Sequence, residues 1–142
     1  MKSIYVIGSL RGPSVPAVSA HLRKAGLEVF DDWYAAGPEA DDKWKEYEQQ
    51  RGKTYQEALD GYAAGHVFDF DRKHLERTDG AVLVLPAGRS GHLELGYVAG
   101  LGKPTYILLP PGYDDSADRW DVMYRFASKV VYTPEELIRE IS

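Results

Sequence analysis

A three-layer α/β sandwich around a five-stranded parallel sheet is predicted by three observations. Short apolar runs recur at Ser3–Gly8, Leu27–Phe30, Ala81–Leu85, Thr105–Leu109 and Ser128–Tyr132. Segments with helical spacing separate them, and glycine or proline marks most of the joins. Runs that are apolar throughout, rather than alternating, belong to strands buried on both faces, and such strands need helices above and below a parallel sheet.

Taken in order, Ser3–Gly8 is the first strand, and Ser9-Leu-Arg-Gly-Pro13 is the turn at its carboxyl end. Val15, Val18, Leu22 and Ala25 then stand at helical spacing, with Gly26 as the stop. Leu27–Phe30 is the second strand and runs into a polar-aromatic cluster, Asp31-Asp32-Trp33-Tyr34.

Residues 35–68 are the least orderly. Asp41 and Asp42 open a helix carrying Trp44, Tyr47 and Arg51 on one side, broken at Gly52. A second helix carries Tyr55, Ala58, Leu59 and Tyr62 and closes at Gly65. Its charges read as a solvated face and its aromatic stripe as core. Its place after the second strand also suits a helical lid or insertion over the strand ends. Phe68–Asp71 then leads into a short helix over Arg72–Thr78, and Asp79-Gly80 turns into the central strand.

The central unit is Ala81–Leu85, a loop of small residues from Pro86 to Gly91, and a helix beginning near Ser90 to His92. That helix ends at Gly102, with Pro104 just beyond. This places Glu94 in the first helical turn, where unpaired backbone N–H groups and the helix dipole favour an ionised carboxylate. A helix-capping role accounts for such a glutamate equally well. After Thr105–Leu109 comes a Pro110-Pro-Gly112 loop, a helix over Asp118–Ala127, the strand Ser128–Tyr132, and a last helix capped by Thr133 with Pro134 at its first position.

A chain of 142 residues alternating in this way is expected to form one domain, residues 1–142, with strand order 2-1-3-4-5, the flavodoxin-like order. Ligands of such sheets bind beyond the carboxyl ends of the strands. Three loops should meet there: Ser9–Pro13, Asp31–Tyr34, and Ala87–Gly91 followed by Glu94. There is no cysteine, which excludes disulfides and thiolate zinc sites. The formal net charge of −5 argues against binding a nucleic-acid polymer, though not against a small anion in a local positive pocket. No apolar run approaches membrane-spanning length, and Met1-Lys2 leads straight into a strand, so a cytoplasmic protein without membrane contact is expected.

Gly8-Ser-Leu-Arg-Gly12 after the first strand, Asp71 eight residues before Asp79, and Glu94-Leu-Gly-Tyr-Val-Ala-Gly-Leu-Gly-Lys-Pro104 together resemble the nucleoside 2-deoxyribosyltransferase family, which includes the 2′-deoxynucleoside 5′-monophosphate N-hydrolases. The resemblance covers the first strand and turn and the block from Asp71 to Leu109; from Leu27 to Phe68 it is weak. It implies that Glu94 attacks the anomeric carbon and forms a glycosyl ester, that Asp71 protonates the departing base, and that the Tyr5 hydroxyl orients Glu94. It further implies that Gly8, Ser9, Arg11 and Gly12 hold a 5′-phosphate, with Gly88, Ser90 and Gly91 in a second phosphate-side loop. Trp33 is placed beside the substrate by its cluster at the strand end. The resemblance also implies a homodimer or larger homo-oligomer whose neighbouring subunit completes the site, and the segment Trp120–Tyr124, with Met123, is available for that.

The expected substrate is a nucleoside or nucleoside 5′-monophosphate, cleaved at its N-glycosidic bond with water as acceptor and with no metal or other cofactor. Base-to-base transfer of the sugar is the close alternative. A non-catalytic nucleotide sensor and a flavin-binding domain are rivals on the same fold. The alternative readings are Asp71 as an N-cap for a helix at Arg72, Tyr5 as plain core, and Arg11 as a surface residue, with the neighbouring glycine and the loop's location favouring an anion contact for Arg11. His92 reads as an exposed helix-start residue, and Gly96 and Gly100 as a seat for a neighbouring helix or subunit. The loop departs from the hydrolases in being shorter, with Gly88 where serine is usual and an unusual Arg89.

Overall fold

A computed structural model describes all of residues 1–142. The strands are β1 (Ser3–Ile7), β2 (Glu28–Phe30), β3 (Gly80–Val84), β4 (Thr105–Leu108) and β5 (Lys129–Val131). They form one sheet, all pairs parallel, in the order β2-β1-β3-β4-β5. This is the architecture and order read from the sequence.

Alternation along each strand divides the core in two. Ile4, Val6, Val82, Val84, Tyr106 and Leu108 face helices α1 (Val15–Lys24) and α6 (Pro134–Ile141), whose Val15, Val18, Leu22 and Leu137 close that layer. Tyr5, Ile7, Phe30, Ala81, Leu83 and Ile107 face helices α4 (Tyr62–Arg77) and α5 (Arg89–Gly100), which contribute Leu75, Leu95 and Val98. Burying a side chain of this size is worth about 1.5–3 kcal/mol, so each layer holds its helices firmly.

Helix punctuation follows the chemistry of the ends. Gly26 and Gly102 lie at φ +93° and +80°, a region glycine enters without strain, and each follows the last turn of its helix. Thr133 accepts from Glu136 N–H and Pro134 fills the first turn of α6.

Three expectations are corrected. Residues 35–68 hold a 3₁₀ turn (Asp32–Ala36), α2 (Ala40–Gln50), the single-turn α3 (Tyr55–Leu59) and the start of α4, and Gly65 does not stop a helix. The break is at Gly61, the extended N-cap of α4, where a Cβ would stand 3.2 Å from Ala58 O and 3.3 Å from Glu48 Oε2. A glycine inside a helix costs only about 1 kcal/mol, which packing against the sheet outweighs. Consequently Asp71 lies in the middle of the 16-residue α4 and cannot be an N-cap. Residues 118–127 are not one helix: only a 3₁₀ turn, Val122–Phe126, forms. Aspartates take over there, with Asp114 accepting from Ser116 N–H, Asp118 from Asp114 N–H and Asp121 from Met123 N–H, local bonds that compete with a helical ladder.

α4 and α5 are also stitched to each other near the carboxyl ends of both helices. Tyr97 OH donates to Glu76, and the Lys103 ammonium donates to the carbonyls of Glu76 and Thr78.

Candidate active site

The side chains of Tyr5, Asp71 and Glu94 come from three elements and meet on the α4/α5 side of the sheet. Tyr5 is in the middle of β1, paired in register with Phe30 and Ala81, and its ring packs on that of Phe30 at 4.9 Å between centroids. Asp71 stands one turn before Leu75, which packs on the sheet from α4. Glu94 precedes Leu95, which does the same from α5. Because α5 begins at Arg89, Glu94 is in its second turn rather than its first.

That position changes its electrostatics. Burial first, and the Asp71 charge second, push the Glu94 carboxyl from 4.5 up to about 7, while the Tyr5 hydroxyl hydrogen bond pulls the other way. Burial alone raises Asp71 above the usual carboxylate range. Burial, then the charges of Glu94 and Asp71, lift the Tyr5 phenol far above its ordinary value, so Tyr5 stays protonated and donates to Glu94. The expectation of a freely ionised Glu94 is therefore corrected: near neutrality its carboxyl is still partly protonated. Tyr5 belongs to the buried layer under α4 and α5, and Glu94 lies beyond the capping positions of α5.

Behind Asp71 is an aromatic wall. His74 stacks on Phe30 with ring centroids 3.9 Å apart, and Phe70 meets both rings. His74 Nδ1 accepts from Arg77 Nε, and burial lowers the pKa of the imidazole, which keeps it neutral.

A cavity of about 260 Å³ opens between the β1 turn and the N-terminus of α5, lined by Ser9, Arg11, Gly12, Pro86, Ala87 and Gly88, with none of Tyr5, Asp71 and Glu94 in its lining. The turn is built locally: Gly12 N–H donates to Ser9 O at 2.8 Å and Arg11 N–H to Ser9 Oγ at 3.1 Å. Arg11 itself is exposed and reaches Asp42 of α2 at 3.3 Å, a contact no sequence signal indicated. Backbone N–H groups at the start of a helix and a guanidinium make a setting for an anion.

The remaining residues singled out in the sequence fall outside that lining. Gly8 and Gly91 are packing positions: a Cβ would stand 2.8 Å from Val15 Cγ2 at Gly8, and 3.0 Å from Leu83 Cδ1 at Gly91. Gly91 thus lets α5 lie close on the sheet. Ser90 is exposed at the helix start. Trp33 wedges between the two cores and spends its indole N–H on Val6 O at 2.8 Å, while Tyr34 OH donates to Gly12 O. Met123 is 58% exposed in the 3₁₀ turn after Asp121, away from the cavity lining.

Gly96 and Gly100 face open space, so no helix of this chain uses them. His92 is not a free helix-start residue. Its Nδ1 meets Gly88 O at 2.8 Å and its Nε2 meets Tyr124 OH at 2.9 Å, tying the cavity's Gly88 to the 122–126 turn. The long sequence separation of that pair hid it. No group of three or more His, Asp or Glu side chains is arranged to hold a metal ion, and no helix is long and apolar enough to cross a membrane.

No family model matches the chain, and no curated protein matches it. Among solved structures it is similar to the CMP N-glycosidase BcmB of Clostridium botulinum, with a TM-score of 0.57 and 11% sequence identity, covering 99% of this chain and 98% of that one. At that identity the likeness is one of fold: a five-stranded, all-parallel α/β sheet in the flavodoxin-like order, shared from end to end.

Proposed function

We propose that the chain is an N-glycosidase of nucleoside 5′-monophosphates, of the nucleoside 2-deoxyribosyltransferase kind, using Glu94 as nucleophile and Asp71 as acid. The observation that carries the reading is the convergence of Tyr5, Asp71 and Glu94, with burial raising both carboxyls and the Asp71 charge raising Glu94 further; the cavity at the β1 turn offers a setting for an anion. The end-to-end likeness of fold to a CMP N-glycosidase agrees with it.

The steps follow from the charges. The reaction needs Glu94 as the carboxylate, to which Tyr5 donates, and the proton on Asp71 once substrate is bound. A Glu94 oxygen attacks C1′ as the C1′–N bond breaks; the bonding electrons go to the base nitrogen, which takes the proton from Asp71. Positive charge growing on the sugar is stabilised by the adjacent Glu94 carboxylate. Water then attacks C1′ of the ester, Asp71 accepts its proton, and Glu94 leaves as carboxylate. Two displacements retain the configuration, the logic of retaining glycosidases applied to a nitrogen leaving group. Ser9, Arg11, Gly12 and the α5 N-terminus hold the 5′-phosphate, and the Phe30–Phe70–His74 wall flanks the base.

A homo-oligomer belongs to this reading. Leu93 and Tyr97 are exposed on the outer face of α5 beside the open Gly96 and Gly100, and Val122, Met123 and Phe126 are exposed apolar side chains of the 122–126 turn. Surfaces of this kind mark interaction sites. Met123 from a neighbouring copy is assigned to completing the site, and α2, through Asp42, to covering it.

Incubation with CMP, dCMP, dGMP and the free nucleosides, with and without added adenine, tests the proposal. Free base released without an acceptor marks the hydrolase; release only with adenine present marks the transferase. Binding without turnover marks a nucleotide sensor. Full activity in Glu94→Ala, or no ester on Glu94 detectable by mass spectrometry after acid quench of wild type, refutes the mechanism.

A further inference from the structure

A second cavity, about 590 Å³, lies at the carboxyl ends of β3, β4 and β5, where Leu85, Leu109 and Tyr132 leave the sheet. It is on the opposite flank of α5 from Glu94. His92 lines it, and two residues of helix turn a side chain by about 200°. Between those flanks, Gly91, Leu95 and Val98 rest on the sheet.

Its walls are aromatic rings tied down at their polar ends. Tyr113 OH donates to Arg119 O at 2.8 Å, Trp120 Nε1 to Asp115 O at 3.0 Å, and Tyr132 OH to the Asp115 carboxylate at 3.0 Å. Tyr124 stacks on His92 and is held by its Nε2. The rings are therefore ordered in advance, with their faces left as contact surface. Three charged side chains line the cavity, Asp115, Arg119 and Asp121, and none makes an ion pair within the chain; Asp115 accepts from Tyr132 OH and Asp121 from Met123 N–H, while no side-chain partner meets the Arg119 guanidinium.

We propose that this cavity is a second ligand site, independent of Glu94, that binds a planar heterocycle of nucleobase type stacked against the aromatic walls. Asp115 takes the amino edge of the ring and Arg119 its carbonyl or ring-nitrogen edge. Other ligand classes fit less of what is present. A hydrocarbon leaves these charges unanswered, an inorganic anion ignores the ring faces, and a quaternary amine meets the Arg119 guanidinium. The volume is within the usual range of about 300–1,000 Å³ for small-molecule sites.

Isothermal titration of the full chain with adenine, with circular dichroism on every variant, tests the site. The expected result is saturable binding below about 1 mM, weakened about tenfold or more by Trp120→Ala and by Tyr132→Ala and largely retained in Tyr132→Phe, the effect of losing one stacking ring. Asp71→Asn binds adenine at this site as wild type does. Trp120 is 75% exposed, so its replacement leaves the fold intact. Three results overturn the proposal: no binding; binding lost in Asp71→Asn but kept in Trp120→Ala and Tyr132→Ala, which puts the base beside Glu94; or concentration-dependent protection of residues 113–124 from hydrogen exchange without ligand, which shows a second copy in the cavity.

Discussion

Replacing Glu94 by glutamine should make the protein more stable above neutral pH. The Glu94 carboxyl is raised from 4.5 to about 7 in the folded chain, chiefly by burial. Below about pH 4.5 both folded and unfolded forms carry the proton, and the group has no effect on the balance. Between about 4.5 and 7 the unfolded chain releases the proton while the folded one keeps it, so stability falls as pH rises through that window. Above about 7 the loss levels off. At about 1.36 kcal/mol per pH unit, the gap between 4.5 and about 7 amounts to about 3 kcal/mol at pH 8, and to less than about 1 kcal/mol at pH 5.

Glutamine keeps the shape and the Tyr5 hydrogen bond but cannot ionise. Urea unfolding of wild type and Glu94→Gln at pH 5 and pH 8 measures the difference, and thermal scans should show a gain of about 10 °C at pH 8. Equal stability of the two proteins at pH 8, or a gain of the same size at both pH values, would refute the electrostatic account of Glu94.

Other consequences are testable in the same preparations. Release of base, followed as kcat/KM against pH, should decline as pH rises through about 7, where the carboxyl pair loses its proton. In Asp71→Asn a carboxyl-selective NMR titration should find Glu94 below its wild-type value, since the Asp71 charge is the second cause of its rise. Arg11→Ala should raise KM for a monophosphate about tenfold to a hundredfold while leaving free nucleosides unaffected, the worth of a charge-assisted hydrogen bond. Gly91→Ala forces a methyl to within 3.0 Å of Leu83 Cδ1 and 3.2 Å of Ile7 Cγ2, so chemical denaturation should show a loss of about 1–3 kcal/mol, with lowered kcat from a displaced Glu94.

The sheet was legible because its signal is local and redundant. Continuous apolar runs, glycine stops after α1 and α5, and the Thr133-Pro134 start of α6 each point to the same topology. Misreadings arose where local propensity was outvoted. Gly65 looked like a stop, yet α4 runs through it and ends up carrying Asp71 in its interior. Asp118–Ala127 has a helical rhythm, but its aspartates bond to nearby backbone first.

For the candidate site, the trio Tyr5, Asp71 and Glu94 was nameable from sequence, and so was the turn from Ser9 to Gly12. Its protonation was not, because that depends on how deeply two helices bury two carboxyls against one strand. Contacts between distant segments, Arg11 with Asp42 and His92 with Tyr124, leave no periodic trace.

The stitch among Tyr97, Lys103 and Glu76 joins α4 and α5 near their carboxyl ends, whereas Asp71 and Glu94 sit further back toward the amino ends. The two helices are therefore arranged like tongs riveted at one end, with the carboxyls about halfway along the arms. A slight splay of the arms separates the carboxyls and weakens the push of the Asp71 charge on Glu94; a squeeze strengthens it.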